Sequence, residues 1–334
     1  MQDGDKLLKE HVEQTQARLR LTIESTLAKS EVSAEYQTMI LKALPLFSSE
    51  KYSDKNERWL LLPELCHIAC GGEETAADPI SAAWYLFYVA AFLMDHAEDF
   101  LEGIDLTTPI SAGKMINIAS GQFFIANLIL TEFLQAEPIS AARSNIVKAF
   151  QTQLLRMCDG QNLDLITSNY TLRKYYEIIH QKSGTFFSLA CWSGARLATQ
   201  QDEIINAYTE FGKHLGVLIQ VLDDLEDWRE LQSGNGKLES TKYQRILPAL
   251  YTAEVIPSEK RRRFQQIIEG LSTGNEEGLL EEYMDIIEKA GAGLYMLTIM
   301  MREYDSARLA ITDIHPDNQA DKMLLSMIGS LLDY

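Results

Sequence analysis

Two acidic clusters carry the most chemistry in this chain: Asp95-His96-Ala97-Glu98-Asp99, within AAFLMDHAEDFLEG, and Asp223-Asp224-Leu225-Glu226-Asp227, within GVLIQVLDDLEDWRE. Asp95 and Asp99 stand four apart, as do Asp223 and Asp227, so on a helix each pair shares one face and can bind a single cation. Glu98 lies beside the first pair, and Gln220, one turn before the second, offers a neutral oxygen or amide. Magnesium favours a few carboxylates completed by phosphate oxygens and water, so two acidic walls suit a bridging diphosphate. Each cluster follows a long apolar stretch. That predicts carboxylates projecting from the end of a buried helix into a cavity, where like charges repel unless cations lie between them. For one cluster alone, a solvated helix end is the commoner reading; two clusters behind apolar helices favour the metal.

The elements that must position these acids are helical. Apolar residues recur at three- and four-residue spacing, as in Tyr176, Ile179, Ser183, Phe186, Phe187, Ala190 and Cys191, and alternating strand patterns are missing. The expected fold is all-α: one large helical bundle of roughly ten to twelve helices around a central cavity, with residues 1–334 forming a single domain. Breaks are expected at 71–79, 103–113, 232–240, 272–278 and 311–318, where Gly, Pro, Ser, Thr and acidic residues gather.

The 334 residues are 46% hydrophobic, ample for a core, and carry 48 Asp and Glu against 30 Lys and Arg, a net charge of −18. That balance argues against nucleic acid and anionic lipid as partners and for a small ligand. MQDGDKLLKEHVEQTQARLR has no apolar core to make it a secretory signal. The run from Pro79 to Met94, interrupted by Pro79, is expected to be too short for a bilayer span, so no stable membrane insertion is expected and the cytoplasm is the expected location. Cys66, Cys70, Cys158 and Cys191 form no Cys-x-x-Cys pair and read as buried thiols.

The motif GxxxQxxDDxxD, present as Gly216 through Asp227, resembles the trans-polyprenyl diphosphate synthases, whose scaffold is the isoprenoid synthase fold. The stretch Gly160 to Ala198 is similar to that family's middle helices, and residues 116–130 to the helix after its first motif. The resemblance implies Asp95, Asp99 and Asp223 as magnesium ligands with Asp227 and Gln220 supporting, and about three ions gathered on a bound diphosphate. It implies Lys182 and Lys237 as diphosphate lysines, Gln161 and Asp164 as a pair near the metal, and a homodimer. His96 stands where the family has a second Asp, a position expected to point aside.

Two absences shape the functional expectation. The family's Gly-Gly-Lys-Arg-x-Arg-Pro signature for isopentenyl diphosphate corresponds here to Asp54-Lys55-Asn56-Glu57-Arg58-Trp59-Leu60, and no Arg occurs between Asp99 and Lys114. The expectation is therefore a class I terpene synthase: an allylic prenyl diphosphate is ionised and its carbocation cyclises or rearranges. The alternative is a prenyltransferase, either chain-elongating, with Lys55, Arg58 and Arg245 in a rearranged site, or using another acceptor. A non-catalytic subunit ranks last, because the acids and lysines are all retained. Phe87 and Ala91, eight and four residues before Asp95, are expected to line the substrate pocket, although aromatics on a buried helix are more often core. His96 is either a spectator or a terminating base, the spectator reading being preferred.

Overall fold

The computed structural model describes residues 2–44, 58–101, 111–136, 140–233, 242–274, 278–312, 314 and 318–332, and among these no strand occurs. In chain order the helices are α1 (Gln2–Lys29), α2 (Ala34–Lys42), α3 (Leu62–Ala69), α4 (Asp78–Leu101), α5 (Ala112–Gln135), α6 (Ala141–Ile166) and α7 (Leu172–Ile179). They continue with α8 (Thr185–Ala198), α9 (Asp202–Ser233), α10 (Leu247–Val255), α11 (Ser258–Ser272), α12 (Leu279–Lys289), α13 (Ala292–Thr312) and α14 (Gln319–Gly329). The chain groups into two compact units, each discontinuous in sequence. One comprises Met1–Thr152, Ser188–Phe211 and Arg308–Tyr334; the other comprises Gln153–Phe187 and Gly212–Ala307.

In the first unit, α4 is longer than the sequence suggested. Pro79 sits in its opening turn, where a missing N–H costs nothing, so it starts the helix instead of interrupting it. By length and composition Glu74–Glu98 and α5 are both apolar enough to cross a bilayer, which corrects the expected shortness; 61% and 50% of their most apolar windows are buried in the protein, as in core helices. Trp84, Leu86 and Phe87 of α4 are buried, each contributing roughly 1.5–3 kcal/mol by leaving water. The Phe87 ring lies 5.7 Å from Phe123 of α5 and 6.0 Å from Phe150 of α6.

A polar clamp sets the start of α4. Arg18 of α1 reaches the fully buried Glu64 of α3, Glu74 at 2.9 Å and Asp78, the first residue of α4, at 3.1 Å, while Thr15 donates to Glu64 at 2.8 Å. His11, Glu64 and Glu74 bring ligand atoms within 4.8 Å of one another, but the Arg18 guanidinium already bridges the two carboxylates. Elsewhere in this unit, α3 and α8 approach so closely at Gly194 that a Cβ there would stand 1.9 Å from the Pro63 carbonyl oxygen. The helix α3 ends through Gly71, whose φ of +84° lets its N–H reach the Ile68 carbonyl at 2.9 Å.

The second unit is built on the end of α9. Trp228 and Leu231 pack with Tyr243, Phe264, Ile267 and Tyr283. Tyr283 stacks on Phe264 with centroids 5.7 Å apart, and its hydroxyl donates to the Tyr243 carbonyl at 2.7 Å. Tyr283 therefore also satisfies the hydroxyl it brings into the core.

Candidate functional site

Lys182 occupies an irregular turn. Between α7 and α8 the residues His180–Gly184 form one π turn, a widening that single inserted residues produce and that often marks functional positions. Two glycines fit its backbone. A Cβ on Gly160 of α6 would lie 2.8 Å from the Lys182 nitrogen, and one on Gly216 of α9 would lie 2.4 Å from the Ser183 carbonyl oxygen. The first glycine of the GxxxQxxDDxxD pattern is thus a contact surface for the turn that carries Lys182. One turn further along α9, Gln220 accepts a hydrogen bond at its Oε1 from Ser183 Oγ at 3.2 Å.

The second acidic cluster divides its labour. The Asp223 side chain is exposed at the surface, although much of the protein lies around it. Desolvation, then Asp224, Glu226 and Asp227, push its pKa up to about 8, against the attraction of Lys242. Asp224 points the other way: it is buried and accepts from the Tyr175 hydroxyl at 2.6 Å and from the Leu247 backbone N–H at 2.9 Å. Burial raises its pKa to about 7 despite those bonds. Asp227 lies 3.3 Å from Lys242 Nζ. Asp224 therefore fixes the 242–247 segment against α9, and that segment delivers a cation to the acid face. The acids lie ten and six residues before the end of α9 (223 and 227 against 233), not at its terminus as expected.

A second group surrounds Asp164 of α6. The Tyr170 hydroxyl donates to Asp164 Oδ1, and Asp164 Oδ2 lies 3.7 Å from Lys182 Nζ. Arg245 sits over the Tyr170 ring at 5.1 Å. Gln161, one turn before Asp164, is half-buried beside it on α6. Sequence reasoning passed over Tyr170, Tyr175 and Lys242. Lys242 lies nineteen residues beyond Asp223 (242 − 223), and only the fold of the 242–247 turn relates it to the acids.

The first cluster lies in the other unit. Asp95 and Glu98 are partly buried near the end of α4, and Ala91, one turn earlier, is partly open. Phe87 is 2% exposed and packed among phenylalanines. His96 folds back along the helix, its ring 4.1 Å from Phe92 and its Nδ1 donating to the Phe92 carbonyl at 3.1 Å. The Asp99 side chain and all of Lys237 lie outside the described residues.

Within the second unit the donor set suits magnesium. Asp223 and Asp227 offer hard carboxylate oxygens one turn apart, and no His or Cys stands among them. Among the described residues, then, this unit gathers Asp164, Lys182, Gln220, Asp223 and Asp227, with Lys242 and Arg245 beside them.

The all-helical architecture around such acids and lysines defines an isoprenoid synthase fold. It is matched by geranylgeranyl pyrophosphate synthetase from Pyrococcus horikoshii (TM-score 0.79, 18% identity, 100% of this chain and 99% of that one) and by decaprenyl diphosphate synthase from Rhodobacter capsulatus (0.78, 15%, 99% of each). The family model for polyprenyl synthetase matches residues 106–287, over half of the chain, and the protein belongs to that family.

Among its sequence relatives, the short chain isoprenyl diphosphate synthase of Methanocaldococcus jannaschii is 23% identical over 54% of this chain and 56% of its own length. Solanesyl-diphosphate synthase 1, mitochondrial, of Oryza sativa subsp. japonica is 21% identical over 75% and 57%. The chain thus spans little more than half the length of these two relatives.

Proposed function

We propose that this protein is a magnesium-dependent prenyltransferase that ionises an allylic prenyl diphosphate, releases diphosphate and joins the prenyl group to isopentenyl diphosphate. The observation that carries the reading is that the Asp164–Lys182 pair, the Ser183–Gln220 bond one turn before Asp223, and the Asp227–Lys242 pair all fall inside the stretch matched by the polyprenyl synthetase model. The relatives named above are diphosphate synthases, which supports elongation over the cyclisation expected from the sequence. Magnesium ions would be held by Asp95, Asp99, Asp223 and Asp227 and, when bound, neutralise charge on the leaving diphosphate. Lys182 adds a fixed positive charge where that diphosphate develops, and Lys237 is proposed for the same task. Ser183 orients Gln220, and Asp224 holds the segment that presents Lys242. Phe87 and Ala91 are proposed to shape the space for the prenyl chain, and Gln161 to contact the diphosphate or its ions.

Cyclisation is kept as a second reading on one observation. Arg58, the last basic residue of the stretch that replaces the isopentenyl diphosphate signature, is engaged by Ser330 Oγ and by the Met327 carbonyl at 3.5 Å. We propose further that residues 1–334 act as one domain, that the protein is a homodimer without nucleic-acid partners or stable membrane insertion, and that it works in the cytoplasm. Cys66 and Cys191 are buried as expected, whereas Cys70 is half-buried and Cys158 exposed; all four are free thiols, which supports a reducing compartment.

The metal assignment is tested by Asp95→Asn and Asp223→Asn. Each is expected to lower diphosphate release by about a hundredfold or more while the circular dichroism spectrum stays unchanged. Near-normal release from both variants would remove the acids from the reaction.

A further inference from the structure

Arg245, like Lys242, is a cation near the acids that no motif supplies. It follows the turn Lys242–Gln244, its N–H bonded to the Lys242 carbonyl at 2.9 Å, and two residues later the Leu247 N–H is anchored on Asp224. The same short segment therefore sets both Lys242 beside Asp227 and Arg245 over Tyr170. A guanidinium held over an aromatic face gives the ring its charge and none of its conventional hydrogen bonds to oxygen, so donors stay available for an anion.

One donor of that group lacks a partner among the described residues. Arg245 Nε is buried and has no hydrogen-bond acceptor among the described residues, although two carboxylates lie close by. Asp164 is occupied by Tyr170 and Lys182, and Asp224 by Tyr175 and the Leu247 N–H. Among the described residues, Arg245 is thus not the partner of a structural ion pair. A buried donor without an acceptor is costly in a folded protein and calls for a ligand to complete it. Its nearest neighbours through Tyr170 are Asp164 and, beyond it, Lys182. A planar fork of donors suits phosphate oxygens. The chain also supplies no arginine between Asp99 and Lys114, so Arg245 adds the only guanidinium that these contacts bring to Asp164 and Lys182.

We propose that Arg245, carried on Tyr170, binds the diphosphate of the allylic substrate. The assignment rests on the prenyltransferase reading. Its test uses the full chain with magnesium and inorganic diphosphate, by calorimetry, alongside steady-state kinetics with farnesyl and isopentenyl diphosphates. For Arg245→Gln the dissociation constant for diphosphate and the KM for the allylic substrate are each expected to rise about tenfold to a hundredfold, the loss of a charged hydrogen bond. The KM for isopentenyl diphosphate and the melting temperature should stay near those of the wild type. Arg245→Lys, which keeps the charge without the fork, should recover part of the affinity.

Wild-type diphosphate affinity in Arg245→Gln overturns the assignment, as does a rise confined to the KM for isopentenyl diphosphate. If the wild type binds diphosphate through Arg245 but turns over no prenyl diphosphate, the prenyltransferase reading fails and the Arg245 site stands. An active enzyme indifferent to Arg245→Gln has the opposite meaning.

Discussion

Asp223 is where charge and solvent meet and where we propose that the metal binds. Its carboxyl moves from an ordinary 3.8 to about 8 because protein and three acids crowd it, and Asp224 moves to about 7. Both folded values exceed the unfolded one, so the folded state binds these protons more tightly. The stability they contribute is full below the unfolded pKa and is lost as the pH rises through about 7 to 8. Without metal, these groups should lower the melting temperature between about pH 5 and pH 8.5, and magnesium should raise it more at the upper pH than at the lower. Thermal scans at both values decide this; an equal magnesium effect would mean that the acids are not the ligands. At this scale much was legible. Gln220, Asp223 and Asp227 keep the helical spacing read from the sequence, whereas Lys182 and Asp164 were reached through the family resemblance. The inward turn of Asp224 was not legible, because it depends on Tyr175 and Leu247, 49 and 23 residues away.

At the scale of elements, the π turn at His180–Gly184 is the device that presents Lys182, and its fit depends on two glycines. Gly216→Ala would place a methyl 2.4 Å from the Ser183 carbonyl oxygen. The turn or α9 would have to shift, at about 1–3 kcal/mol, and Lys182 and Gln220 would move with it. The variant is expected to lose activity more than its drop in melting temperature explains. Gly194→Ala, with a comparable clash against Pro63 in the other unit, should lose stability alone. Equal ratios of activity to stability in the two variants would contradict the role given to the turn. Helix identity followed from apolar periodicity. Helix extent was less legible: Pro79 reads as a break until its place in the first turn of α4 is seen. Lys242 stayed hidden, and Arg245 entered only as one member of a rearranged site, because both lie on a short turn whose position is set by Asp224 and not by any periodicity.

Across the whole molecule, 48 acidic side chains against 30 basic ones leave a field that repels a diphosphate, so local cations must overcome it. Lys182, Lys242 and Arg245 are drawn together around the acids of one unit, and magnesium supplies the remaining charge on this account. The central claim is that this assembly transfers a prenyl group to isopentenyl diphosphate. Its most direct test is incubation of the purified chain with magnesium and geranyl, farnesyl or geranylgeranyl diphosphate, with and without isopentenyl diphosphate, followed by analysis of released diphosphate and organic products. A longer prenyl diphosphate formed only when both substrates are present is the predicted result. A cyclic hydrocarbon or alcohol formed from the allylic diphosphate alone would contradict it and restore the cyclase reading.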